Sequence, residues 1–213
     1  MIYKVIFPTE IWMKEIDYID NKELKNVILE KEKVEPYAAP GSDRRLSPKQ
    51  ISNVGGWQSA DDLVDDVRFS TIVECVKESF IEVSNKNNYK DELEMYVDNM
   101  WANINRYKDF NMSHIHGESD WSFCYYVSVP TNSGNIVFSD PRLRRVARPR
   151  DSFLKNFNHD FQHGTYGVLP SEGKLIIFPS YLEHSVENNK SNEPRISVSG
   201  NIILRIPNGF NTN

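Results

Sequence analysis

Cysteine is scarce in this chain. Only Cys75 and Cys124 occur, so a disulfide framework is not the expected source of stability, and both read as small buried residues. Long apolar runs are missing too: none approaches the roughly 18 residues that a membrane span needs. The opening residues alternate like a short strand and lack the apolar stretch and cleavage site of a signal peptide. A soluble, cytoplasmic protein is therefore expected. There is no excess of positive charge, with 25 Lys and Arg against 30 Asp and Glu and a net charge of −5. Nothing overall points to nucleic acid, although a local patch could still act. Internal repeats and low-complexity tracts are absent.

What is present suits a folded globule. The chain has 213 residues, 39% hydrophobic, 12% aromatic and 26% charged, enough for one domain over 1–213 with a full core. Within it, 1–90 is expected to pack as a strand and helical part on a core spanning 91–205. Residues 2–7 read as a strand stopped by Pro8. Helical spacing runs over 21–32, through Leu24, Val27, Ile28 and Leu29, and over 61–86, from Leu63 to Phe80. Between them, 36–50 is a Pro-rich loop that carries Arg44 and Arg45.

The octet 52–59 contains Gly55-Gly56, which permits a backbone path other residues resist, followed by Trp57, whose indole needs burial and a hydrogen-bond acceptor. A tight turn anchoring a core Trp and a loop lining a pocket mouth both fit these residues. From 93 the period changes to that of strands: 93–105, 113–117, 121–129, 134–139, 165–169, 173–178 and 195–204, divided by Gly and Pro turns. Two helices followed by many short strands predict an α+β, mainly β protein built on a sandwich or barrel. The loop 140–164 interrupts the strands. Five arginines lie within residues 142–150, either an anion-attracting patch or a solvated run paired with surface carboxylates.

His114 and His116 supply the chemistry. Two histidines two apart on an extended strand share a face, with Cα atoms about 7 Å apart. Neutral imidazole is a common metal ligand, so the pair forms half of a metal site. His184, after the strand-like run 175–178, is the natural third ligand. His159 and His163 read as surface residues. A carboxylate ligand remains open, from Glu118, Asp120 or Asp140, as does an all-histidine set. Arg195 offers a planar fork for a carboxylate. Ser197 faces the same way two residues on, and one of Tyr125 and Tyr126 must point inward. Together these groups suit the distal carboxylate of a dicarboxylate. The plainer alternative for Arg195 is a surface ion pair with Glu187 or Glu193.

Taken in order, the blocks 52–59, 101–105, 111–116, 122–127, 134–142, 178–184 and 195–201 resemble the 2-oxoglutarate- and Fe(II)-dependent oxygenases, in a family with bacterial and marine-phage members. The resemblance implies a double-stranded β-helix (jelly-roll, cupin-like) core with flanking helices. It implies Fe(II), 2-oxoglutarate as cosubstrate and O2, with 2-oxoglutarate decarboxylated to succinate while a substrate, a small molecule or a peptide, is oxidised. The implied host is bacterial or phage-infected. His114, His116 and His184 fall at the metal-ligand positions, Arg195 and Ser197 at the Arg-x-Ser that holds the cosubstrate, and Tyr126 at its tyrosine partner. Two departures stand out. The wider superfamily has H-x-D or H-x-E where this chain has H-x-H, and Phe123 follows Ser122 where a glycine is expected, which narrows the pocket there. A cupin-like metalloenzyme without 2-oxoglutarate and a non-catalytic jelly-roll are the competing readings. Homodimers are the commonest assembly and the default expectation.

Overall fold

The computed structural model describes residues 1–2, 4, 8–35, 52–142 and 164–207. Most of the strand expected over 2–7, the loop 36–50, Arg144 to Arg150, His159 and His163 lie outside the described residues. The first described strand is β1 (Trp12–Glu15), followed by helix α1 (Asn21–Val34). Asp20 caps α1, its carboxylate accepting the Glu23 amide, as short acidic side chains do at helix starts. Leu24 and Ile28, one turn apart, are the residues α1 buries.

The second helix is shorter than its periodicity suggests. α2 spans Ser70–Lys86, and 63–65 and 67–69 form two 3-10 turns instead of its first turns. The break falls at Asp66, whose backbone is extended and whose side chain accepts the Arg68 amide. That local bond competes with helix propagation, and it leaves Val67, expected on the apolar stripe, 80% exposed.

Ten more strands follow the helical part or lie within it: β2 (Asn53–Val54), β3 (Trp57–Gln58), β4 (Glu94–Asn105), β5 (Phe110–His114), β6 (Trp121–Ser128), β7 (Ile136–Ser139), β8 (Thr165–Val168), β9 (Lys174–Pro179), β10 (His184–Val186) and β11 (Arg195–Arg205). They form two antiparallel sheets. One has the order β1-β9-β6-β11-β4-β3, the other β2-β5-β10-β7-β8. This is the expected jelly-roll with flanking helices.

Strand β6 shows how the layers form. Trp121, Phe123, Tyr125 and Val127 join the core shared with Leu24, Ile28, Ile72 and Phe80 of the helices. Cys124 and Tyr126 point the other way, into a second core with Ile136, Phe138, Ile176 and Phe178 between the sheets. A strand covered on both faces reads as a continuous apolar run. Each large side chain so buried contributes roughly 1.5–3 kcal/mol.

The octet 52–59 makes a corner between the sheets. Asn53 and Val54 pair with β5, whereas Trp57 and Gln58 pair with β4 of the other sheet. Gly55 turns the chain at φ +88, and a Cβ there would lie 2.1 Å from Asp109 Oδ1. Trp57 is buried and its indole N–H donates to the Glu35 carbonyl at 2.9 Å.

Candidate metal centre

The H-x-H pair does not sit on one regular strand. β5 ends at His114, and its pairing with β10 sets His184 opposite His114 but Val186 opposite Asn111. Two steps on β10 thus face three on β5. This bulge turns both Asn111 and His114 inward, where strict alternation would have opposed them. His116 lies beyond the strand, its amide donating to the Ser180 carbonyl at 2.9 Å. The Ser180 hydroxyl meets that of Ser122 at 2.7 Å, which ties the His116 segment to β6.

The three rings converge. Centroids are 4.3 Å apart for His114 and His184, 5.0 Å for His114 and His116, and 5.2 Å for His116 and His184. One ring nitrogen from each lies within 4.8 Å of the others. Two tautomers follow from backbone contacts. His114 Nδ1 meets the Met112 carbonyl at 2.8 Å and His184 Nδ1 the Leu182 carbonyl at 2.9 Å. A carbonyl only accepts, so both Nδ1 atoms carry the proton and both Nε2 lone pairs are free for an ion. Burial pushes His116 down to about 4, with His114 adding to the shift, and pushes His184 down to about 3, with both neighbouring rings adding. Burial lowers His114 too. All three imidazoles are neutral near pH 7, the form that ligates metal.

None of the three carboxylates considered joins them. Asp120 Oδ2 accepts the Leu204 amide at 2.8 Å, Asp140 holds Arg142 through both oxygens at 2.8 Å, and Glu118 is exposed. Among the described residues the donor set is three imidazoles.

The histidines line a cavity between the sheets together with Trp101, Asn103, Asn105, Asn111, Phe123, Tyr126, Arg195, Ser197 and Ser199. Arg195 opens β11 and is 1% exposed, so it is no surface ion pair. Nη1 donates to the Ser133 carbonyl at 2.6 Å and the Gly134 carbonyl at 3.3 Å. Glu187 offers it only a backbone oxygen, at 3.5 Å. Nη2 is buried with no partner. Ser197 is paired in register with Tyr126 on one side and Asn103 on the other. Of the two tyrosines, Tyr126 lines the cavity, and burial holds its phenol well above the usual range. Tyr125 points outward and donates to Asn21 at 2.8 Å. Phe123 packs against Gly200, where a Cβ would come within 2.6 Å of the ring.

Sequence reasoning passed over Asn103, Asn105 and Asn111 as site residues. The signal was there: Trp101, Asn103 and Asn105 recur at period two, which puts them on one face of a strand.

The jelly-roll thus encloses three neutral imidazoles that could hold a metal ion and a buried guanidinium with an unused N–H. Residues 99–201 match the family model described as "Putative 2OG-Fe(II) oxygenase". Over that stretch, which holds most of the jelly-roll, the chain is similar to 2OG-Fe(II) oxygenases, enzymes that work with Fe(II), 2-oxoglutarate and O2. None of the curated proteins matches the sequence. Among solved structures the chain is similar to a prolyl-4-hydroxylase from Pseudomonas putida, at 13% identity over 92% of each chain with a TM-score of 0.54. It is similar to the non-heme alpha ketoglutarate dependent carbocyclase SnoK from nogalamycin biosynthesis, at 11% identity over 91% of this chain and 80% of that one, TM-score 0.62. It is also similar to a Trichoplax adhaerens prolyl hydroxylase solved with a hypoxia inducible factor peptide fragment, at 12% identity over 91% and 83%, TM-score 0.59. At these identities the likeness is one of fold. No helix among the described residues is long and apolar enough to cross a membrane.

Proposed function

We propose that His114, His116 and His184 hold the Fe(II), and that Arg195, Ser197 and Tyr126 hold the distal carboxylate of 2-oxoglutarate. The observation that carries the second half is Arg195 Nη2, a charged donor that is buried and unpaired. An uncompensated buried charge is strongly unfavourable, and a carboxylate in the cavity would compensate it. The donor chemistry fits the first half, since imidazole nitrogens suit Fe(II) and two of the three Nε2 lone pairs are freed by backbone contacts.

When bound, the metal and cosubstrate supply the oxidising power for a substrate C–H bond. The chain's own residues do the rest. Arg195 neutralises and orients the diacid, while the Ser197 and Tyr126 hydroxyls fix the carboxylate plane. Trp101, with its ring centroid 5.7 Å from that of His116, shields one side of the ligand set. Three neutral imidazoles leave the full 2+ charge of the ion uncompensated, which strengthens attraction to a dianionic cosubstrate. The oxidised substrate is a small molecule or a peptide, the two kinds that the similar structures handle.

The test is succinate formation from 2-oxoglutarate with Fe(II) and O2, in the parent chain and in His184→Ala and Arg195→Ala. Loss of turnover in the first and a raised KM for 2-oxoglutarate in the second are expected. Turnover of some other substrate that ignores 2-oxoglutarate and tolerates Arg195→Ala would favour a cupin-like enzyme instead.

A further inference from the structure

The corner 52–59 supplies neither a metal ligand nor the guanidinium, yet its side chains reach the cavity wall. Asn53 is 5% exposed and links a chain of buried amides. The orientation of the whole chain is set by one atom. The Trp57 carbonyl can only accept, so Asn53 presents Nδ2 to it, at 3.1 Å. The same Nδ2 donates to Asn103 Oδ1 at 3.5 Å. Asn53 Oδ1 then accepts from Asn105 Nδ2 at 3.4 Å. Asn105 Nδ2 also donates to Asn111 Oδ1 at 3.4 Å, and Asn111 Nδ2 to Ser52 Oγ at 3.2 Å. Amide orientations must be assigned from such networks, and here each link forces the next.

The result at Asn103 is specific. Its oxygen is turned to Asn53, so its NH2 group faces away, toward the cavity that the residue lines. Asn103 is 5% exposed, and its side-chain bond among the described residues is the one its Oδ1 accepts from Asn53. Asn103 stands directly opposite Ser197 in the β4–β11 register, and Asn105 opposite Arg195. Gly56 is what lets the corner close over these amides: a Cβ would lie 2.5 Å from the Ile104 carbonyl oxygen, 2.8 Å from Asn53 Oδ1 and 3.0 Å from Asn105 Nδ2.

We propose that Asn103 is a further cosubstrate-binding residue, donating an Nδ2 hydrogen to the distal carboxylate of 2-oxoglutarate beside Ser197, and that Asn53 is the positioning residue that aims it. This rests on the reading of Arg195 and Ser197 as the carboxylate anchor. A carboxylate offers about four lone-pair sites. Arg195, Ser197 and Tyr126 fill three, and Asn103 fills the fourth with a neutral donor of fixed direction.

The experiment is calorimetric binding of 2-oxoglutarate and of pyruvate, which keeps the 2-oxo acid but lacks the distal carboxylate, to the full-length Mn(II)-loaded protein. Asn103→Ala is expected to weaken 2-oxoglutarate about tenfold, and Asn103→Asp, which sets a negative charge against the ligand, on the order of a hundredfold. Pyruvate binding stays unchanged in both, which also reports an intact metal site. Asn53→Ala weakens 2-oxoglutarate less, and adds nothing in the double variant with Asn103→Ala. The second measurement reads the parent protein and uses Asn103→Ala only to assign the signal. In the Zn(II)-loaded protein labelled with 15N-asparagine, a side-chain NH2 signal that Asn103→Ala removes shifts with 2-oxoglutarate and not with pyruvate. Unchanged 2-oxoglutarate affinity in both Asn103 variants, equal losses for both ligands, or a silent NH2 signal overturns the assignment. Parent protein that holds Mn(II) but binds no 2-oxoglutarate overturns the carboxylate anchor as well, which separates the two failures.

Discussion

His184 and His114 are cross-strand partners, the first residue of β10 facing the last of β5, with ring centroids 4.3 Å apart. The pairing brings together residues seventy positions apart in the sequence. It makes the metal site a property of how β5 and β10 meet.

Replacing His184 by Ala is expected to abolish stoichiometric Fe(II) binding under anaerobic reconstitution, with the parent binding one equivalent. Removing a metal ligand also removes its share of the ordered cluster, so Zn(II) and Mn(II) occupancy should fall in parallel. Metal analysis after gel filtration decides it. Full occupancy in the variant would show that the ion binds elsewhere.

Arg195→Met is expected to separate function from stability. Loss of the guanidinium weakens 2-oxoglutarate by roughly 2–5 kcal/mol, as for a truncated buried charge pair. The ligand-free variant, however, should melt close to the parent, because losing the Nη1 bonds to the Ser133 and Gly134 carbonyls is offset by removing a buried charge with an unpaired Nη2. Thermal melts with and without cosubstrate test both halves.

The two adjacent tyrosines should behave differently. Tyr126→Phe removes a hydroxyl from the cavity and is expected to raise the KM for 2-oxoglutarate by about fivefold to tenfold, for roughly 1 kcal/mol of hydrogen bonding. Tyr125→Phe removes the bond to Asn21 of α1. It should cost about 1 kcal/mol of stability and leave the KM alone. An effect on KM from Tyr125→Phe would contradict the two-faced description of β6.

Gly56→Ala should destabilise the fold by about 1–3 kcal/mol, since its Cβ meets the backbone oxygen of Ile104 at 2.5 Å. Denaturant melts measure it. A melt unchanged from the parent would mean that the corner is looser than drawn.

Substitution of the metal is also informative. Three neutral nitrogen ligands follow the usual divalent order, so Cu(II) and Ni(II) should displace Fe(II) and inhibit succinate formation. Activity that survives equimolar Cu(II) would argue that the working ion is not held by these three imidazoles.

Much of this was legible along the chain. The alternation of Arg195 and Ser197 on one strand places both on one face, and composition with turn spacing marks a mainly β fold. The span 61–69 was misleading, because Asp66 bonds to the Arg68 amide and stops a helix that the apolar spacing would have continued. The carboxylates weighed as ligands were misleading too: Asp120 is taken by the Leu204 amide, a partner that only folding supplies, and Asp140 by Arg142 two residues on.

Local physics therefore determined the parts: which residues share a strand face, where the first helix starts, and which side chains can hold a metal or a carboxylate. The tertiary structure decided what those parts do. The bulge in β5 turns His114 inward beside Asn111, the pairing of β5 with β10 closes the imidazole cluster, and the corner at 52–59 fixes the direction of four amides. Each of these depends on contacts between segments distant in sequence. Periodicity along one strand carries no information about register against another, nor about which buried donor is left without a partner.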